Sequence, residues 1–260
     1  MSTGGRSVNR CMGMAAVGMV AAATAATVLV VTQDSPDNTQ AQSSTGQEHV
    51  MIAHGKDRRP SQTAEEWVTY ADHVVAVTAV AERVTPPAPI EIERGEGLTG
   101  REVTLRIDEV LWSRDGASKP APTHWKRASM GWQFKGGENY RKMAMEGQPR
   151  VEKGHRYLMA IDWEEARCSP GDEPEPAQWH SLGEGAVVPY DNGTIGEGEM
   201  EGRIQSAEQA RQALAADEPG MSLEDKLAGQ NGKALVKALN AATPGQKADV
   251  ARYQAKSACD

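Results

Sequence analysis

From Cys11 to Gln33 the chain carries no charged side chain, and that run constrains the rest of the molecule more than any other stretch of its 260 residues. Reading CMGMAAVGMVAAATAATVLVVTQ, it is long enough as a helix, at about 1.5 Å per residue, to cross the roughly 30 Å of a bilayer's hydrocarbon core. Arg6 and Arg10 flank its start, and Asp34 and Asp37 follow its end. Because basic residues favour the cytoplasmic side, residues 1–10 are expected in the cytoplasm and residues 11–32 form a transmembrane anchor or signal segment. The remainder is then outside, at the plasma membrane as a single-pass protein or secreted. Cleavage at small-residue sites such as Ala23-Thr24-Ala25 or Thr39-Gln40-Ala41 is the competing outcome. An Ala-rich span can also pair with another membrane helix through its small residues, the role of a scaffold in a membrane complex.

Residues 33–62 are polar and turn-rich, with Val50, Met51 and Ile52 the one apolar cluster, and read as a flexible spacer. At Thr63 the character changes. Thr63-Ala64-Glu65-Glu66 has the spacing of a capping box and opens a short helix through Trp67 and Tyr70. Residues 63–202 are expected to form a β-rich extracytoplasmic domain. Val74 to Val80 is rich in β-branched residues, and Val103, Leu105 and Ile107 alternate with Thr104, Arg106 and Asp108, the period-2 pattern of a half-buried strand. Further strands are expected at Ser129 to Phe134, Tyr157 to Ile161 and Ala186 to Tyr190, the last entering a tight hairpin at Asp191-Asn192-Gly193. Gly- and Pro-rich stretches at 85–100, 113–123, 135–149 and 164–184 read as loops. Residues 203–260 read as a helical C-terminal region, with starts at Ser206, Ser222 and Thr243 and with Leu223, Leu227, Leu235 and Leu239 for its apolar faces. The expected fold is therefore α+β: an N-terminal transmembrane helix, a small antiparallel β-sheet or barrel-like domain, and a helical C-terminal tail.

Sequence motifs for catalysis are absent. Gly95-Glu96-Gly97-Leu98-Thr99-Gly100 has the spacing of a dinucleotide loop, but a strand pattern and not a helix follows it, so it reads as a turn. No G-x-S-x-G surrounds a serine, and the six histidines show no close metal-ligand spacing, so neither cofactor nor metal is expected. His73 beside Asp72, and His180 with Glu184, are the best bases for an extracytoplasmic hydrolase with a scattered site. Cys168 and Cys259 are the two cysteines beyond the apolar run, and an oxidising exterior favours a disulfide between them.

Charge is unevenly spread. The formal net charge is −8, which argues against nucleic acid as a partner of the exported part. Yet residues 119–156 hold nine cations against three carboxylates, interleaved with Trp125, Trp132, Phe134 and Tyr140. Cations beside exposed rings can hold an anionic polymer by charge and stacking together. Trp125, Lys126, Arg127, Trp132 and Lys135 are accordingly the expected ligand-binding residues, and anionic cell-envelope polymer or a membrane protein the expected partner. The alternative is that the rings are core and the cations pair with the acidic stretch from Asp162 to Asp225.

Ala71-Asp72-His73-Val74-Val75 opening a strand, Val103-Thr104-Leu105-Arg106-Ile107 running to Val110-Leu111-Trp112, and the Gly154 to Ile161 segment follow a basic start, an apolar span and a polar spacer. In this order the chain resembles uncharacterised secreted or membrane-anchored proteins of actinobacteria. Its strand pattern also resembles small five-stranded barrels of the oligosaccharide- and oligonucleotide-binding type. Together these features predict a non-catalytic, envelope-associated binding or interaction protein, with the hydrolase and the scaffold as alternatives.

Overall fold

In the computed structural model, residues 50–55, 57, 59–166, 168, 174–216 and 222–247 are described. Their elements run, in order, β1 (Met51–Ala53), α1 (Ala64–Tyr70), β2 (His73–Thr85), α2 (Pro89–Arg94), β3 (Glu96–Ser113), β4 (His124–Lys135), β5 (Glu138–Met145), β6 (Arg156–Glu164), β7 (Gln178–Ser181), β8 (Val187–Pro189), β9 (Gly198–Met200), β10 (Arg203–Gln205), α3 (Ala207–Ala216), α4 (Leu223–Leu227) and α5 (Gly232–Ala241). Eight strands make one sheet in the order β1-β5-β4-β3-β2-β6-β7, with β8 paired to β6 as well; β9 and β10 form a separate hairpin.

This overturns the α+β expectation. The described residues are mostly β, in a sheet that is mixed because β1 runs parallel to β5. It is neither the small antiparallel sheet nor the five-stranded barrel expected. The error lies in segments read as loops. Within residues 85–100, Glu96 already starts the 18-residue β3, and within 135–149 Gly136 and Gly137, both at positive φ, turn the chain directly from β4 into β5 in place of the expected loop. Among the described residues, the C-terminal helices are not a tail apart from the sheet. Leu223, Leu227, Leu235 and Leu239 are buried in the same cluster as Trp67, Val74, Leu158 and Leu182, so α4 and α5 are the cover of one sheet face. Among the described residues no helix is long and apolar enough to cross a membrane, and residues 11–32 lie outside them.

Strand alternation divides the core in two. Val74 and Ala76 of β2, with Leu158 and Ala160 of β6, face the helices. Val75, Val77 and Ala79, with Tyr157, Met159 and Ile161, face the opposite way onto Val103, Leu105, Trp125 and Val151. A strand buried on both faces needs apolar residues at successive positions, which is what the Val74 to Val77 run supplies. The helix layer is anchored by α1, where Thr63 and Glu66 complete the capping box (Oγ1 to Glu66 N, 3.2 Å; Thr63 N to Oε2, 2.9 Å). The buried Trp67 indole donates to the Ser61 carbonyl at 2.7 Å. The hairpin expected at Asp191-Asn192-Gly193 is instead a 3-10 turn with Asn192 and Gly193 at positive φ, after which Glu197 bridges Tyr190 in the parallel sense.

Candidate functional site

Residues paired directly across two strands share a face of the sheet. Trp125, Arg127 and Ser129 pair with Leu105, Val103 and Arg101, which places them on the inner face with the second core; Lys126 pairs with Thr104 and faces outward. Gly131 then interrupts the register: Gly100 pairs with Met130 but Thr99 with Trp132. A side chain at Gly131 would run into the Thr99 carbonyl, so glycine is needed at this bulge. The extra residue inverts the alternation, turning Trp132 and Phe134 inward and Gln133 and Lys135 outward. The five residues expected to make one contact surface are thus divided, Lys126 and Lys135 on one side of the sheet and Trp125, Arg127 and Trp132 on the other.

On the inner side the cations are organised around Trp132. Arg150 lies 4.8 Å and Arg101 5.7 Å from its ring centroid, both guanidiniums fully buried. Arg101 pairs with Glu82 (2.8 Å) and donates to the carbonyls of Met130 (2.9 Å) and Arg150 (2.6 Å). Arg150 pairs with Glu152 and donates to the carbonyls of Met143 and Gly131. Behind them the buried Glu199 accepts from the backbone N–H groups of Arg150 and Val151, each at 3.0 Å, and from the Tyr157 hydroxyl at 3.3 Å. Burial holds the Glu199 carboxyl above its ordinary range against the backbone N–H bonds that pull it down. It likewise raises the Tyr157 phenol, with Glu199 next in effect. Val151 has φ 57°, an unusual conformation for a β-branched residue, and its N–H and that of Arg150 both meet the Glu199 carboxylate.

Arg127 is different. Its Nη1 is buried without a hydrogen-bond partner, as are Trp125 Nε1 and Ser129 Oγ on the same strand face. Burial lowers the Arg127 guanidinium to about 10; Tyr157 opposes that shift and the Arg101 charge reinforces it.

The outward side is open. Arg94 and Lys135 line a cleft of about 420 Å³ with Glu91, Glu96, Leu98 and Gln133. The Gly95 to Gly100 segment borders it, but as structure: Gly95 caps α2 in the left-handed conformation and Gly97 lets the Glu91 side chain approach and accept from Leu98 N at 3.1 Å. Lys126 meets Glu102 at 3.0 Å in an exposed pair. No protein-family model matches the chain, and no curated protein matches it. The arrangement of its own side chains is therefore the basis for a function.

The histidines do not pair as expected. Asp72 turns from His73 to Arg114 (3.0 Å) and to the N–H of Trp163 (2.9 Å). His73, buried, lies with Nε2 2.9 Å from the Lys119 carbonyl, so that nitrogen carries the proton and Nδ1 accepts from Ser113 Oγ at 2.8 Å. His180 Nε2 is 4.0 Å from Glu164 Oε2, with Glu164 in the place expected of Glu184. Sequence reading missed Ser113; its position opposite His73 in the β2–β3 register is set by pairing over 40 residues. Among the described residues no group of three or more His, Cys, Asp or Glu side chains is placed to hold a metal. Cys259 lies outside the described residues, and so does any account of its pairing with Cys168.

Proposed function

We propose that this is an envelope-associated, non-catalytic binding protein that contacts anionic cell-envelope polymer through the outward side of β3, β4 and β5, anchored or exported by residues 11–32. The observation that supports this reading is the placement of Lys135 with Arg94 in one open cleft, on the same side of the sheet as Lys126. The Lys126–Glu102 pair is exposed, and such solvent-screened pairs contribute little, so a polyanion can exchange for it at little cost. Glu91, which would oppose an anion in the cleft, is committed to the N–H groups of Ala88 and Leu98. The test is binding of full-length protein in detergent to isolated cell-wall polymer across a salt series, since contacts between exposed charges weaken with ionic strength. Saturable binding that salt weakens, and that Arg94→Glu with Lys135→Glu abolishes, is the expected result. Binding unchanged in that double variant would remove this surface from consideration.

A second reading, an extracytoplasmic hydrolase, is supported by one observation: Ser113, an exposed residue, donates to a buried histidine whose other nitrogen is fixed on a carbonyl. Nucleophile, base and orienting group in that relation can perform acyl transfer. However, the Arg114 N–H, next in the chain, is already bonded to the Asp72 carbonyl at 2.9 Å, which leaves it no part in an oxyanion site. Reaction with a fluorophosphonate probe, read by mass spectrometry, separates the two readings: an adduct on Ser113 supports the hydrolase, and an unmodified Ser113 leaves the pair a structural tie between β2, β3 and the loop at Lys119.

A further inference from the structure

We propose that the connection between β2 and β3, residues 84–98, docks on the outer surface of the lipid bilayer and inserts Ile90 and Ile92 of α2 at the boundary between headgroups and acyl chains. This rests on the anchoring through residues 11–32 proposed above and is independent of polymer binding.

Among the described residues six large apolar side chains are markedly exposed, and four of them belong to this connection: Val84 (43%), Ile90 (51%), Ile92 (55%) and Leu98 (48%). Single apolar side chains on a surface need no explanation, but several at one place mark a contact. They are at one place because the chain folds back on itself. Glu91 of α2 accepts from Leu98 N at 3.1 Å, and Gly97 lets the Glu91 side chain lie against the strand. Val84, opposite Arg101 in the β2–β3 ladder, is at the same end of the sheet. No residue of α2 is buried. Pro86, Pro87 and Pro89, the last opening α2, fix backbone φ, so the exposed segment is held in shape before any partner arrives.

The direction in which the chain enters the sheet identifies the bilayer as the occupant. β1 runs parallel to β5, with Met51 opposite Met143 and Ala53 opposite Met145, so the chain comes into β1 from the side on which β5 begins. β5 begins at Glu138, directly after the Gly136–Gly137 turn, and that turn adjoins α2: Gly136 N donates at 2.7 Å to the carbonyl of Gly95, the cap of α2. The point of entry and the apolar connection therefore lie toward the same end of the sheet, separated by about five residues of β5, or roughly 17 Å. Even fully extended, residues 33–49 reach at most about 60 Å. An anchor at residues 11–32 thus holds this end of the sheet within that distance of lipid, at a high effective concentration. Charge does not supply the attraction, because Arg83, Arg94 and Lys135 are accompanied by the exposed Glu93 and Glu96. Insertion of apolar side chains supplies it, and unlike the polymer contact it should not weaken with ionic strength.

The test uses full-length protein reconstituted into vesicles of phosphatidylethanolamine and phosphatidylglycerol with a trace of a phospholipid that carries a diazirine near the carbonyl end of one acyl chain. Irradiation attaches this lipid where the protein meets the headgroup–acyl boundary, and peptide mass spectrometry locates the adducts. Adducts are expected on Ile90 and Ile92 as well as on residues 11–32, at low and high salt alike. Val110 is the control, 45% exposed but roughly 40 Å farther along β3 than Leu98. Ile90→Ser with Ile92→Ser is expected to fold, because both side chains are exposed, and to leave polymer binding intact, because neither lines the cleft. It should lower labelling of residues 84–98 about tenfold, since interfacial binding scales with the apolar area inserted. Labelling of residues 84–98 without residues 11–32 would support the docking and remove the anchor. Absence of adducts on residues 84–98, with or without adducts on residues 11–32, overturns the docking, and so does equal labelling of Val110. Sedimentation of the protein in detergent is run alongside: a dimer that the double variant dissociates would assign α2 to a second copy of this chain and likewise overturn the proposal.

Discussion

Glu199 shows how much one carboxylate can hold in place. It takes two consecutive backbone N–H groups from a segment in which Val151 is at positive φ, and it takes the Tyr157 hydroxyl too. Glu199→Ala would leave those donors buried and unmatched, and each costs about 1–3 kcal/mol. We expect a loss on the order of 3 kcal/mol or more in urea denaturation, with Val151 relaxing to negative φ. Glu224 is the opposite case. Half-buried near the start of α4, it is raised to about 7 by burial and then by Asp225. A raised carboxyl means that the folded protein binds the proton more tightly than the unfolded chain. Stability therefore falls as pH rises from the unfolded value near 4.5 through the folded one near 7. Glu224→Gln is expected to stabilise the protein at about pH 8 by about 1 kcal/mol, after allowing for solvent screening, and to be neutral near pH 4. Thermal melts of both proteins across that range check the sign. Neither carboxylate stands out in the sequence, because what makes each important is burial, a property that distant segments confer.

At the level of elements, the legible parts were those with local causes. The capping box at Thr63, the alternation from Val103 to Ile107 and the double-sided Val74 to Val77 run all declare themselves within a few residues, and all form the expected elements. The candidate contact residues were harder to place because one local rule and one non-local fact together govern them. Trp125, Lys126 and Arg127 are consecutive, so on a strand Lys126 must face away from the other two. Gly131 then shifts the register, and only the close approach of the Thr99 carbonyl shows why. Gly131→Ala should either destabilise the fold by about 2 kcal/mol or more or force the bulge to move. In the second case Lys135 would turn inward, and a changed amide exchange pattern along β4 would reveal it. The same reasoning applies to the C-terminal helices. The spacing of Leu223, Leu227, Leu235 and Leu239 identifies apolar helix faces, but the surface they cover comes from α1, β2 and β6. Leu235→Ala, at a side chain 1% exposed, is expected to cost about 2–5 kcal/mol.

The described residues form a sheet with a helix layer on one side and, on the other, an apolar core that grades into buried arginines. That gradation determines how the basic segment is used: some of its cations build the interior, and Lys126 and Lys135 remain outside. The Cys168–Cys259 disulfide remains our proposal at this scale. In the chain-entropy model, closing a loop of roughly 90 residues constrains the unfolded chain by about 4 kcal/mol. A non-reducing peptide map should contain the linked pair, and reduction should lower Tm; two free thiols in protein exported from cells would end the idea.

The two ends of the sheet have a consequence for how a partner can approach. β1 has three residues and β7 four, so each outermost ladder stops almost as soon as it begins. Short margins of this kind offer a foreign chain few free amides and carbonyls to zip onto, which protects a sheet against fusing with its neighbours. Recognition by strand addition, which draws its affinity from main-chain hydrogen bonds, has little to grip at these two end strands.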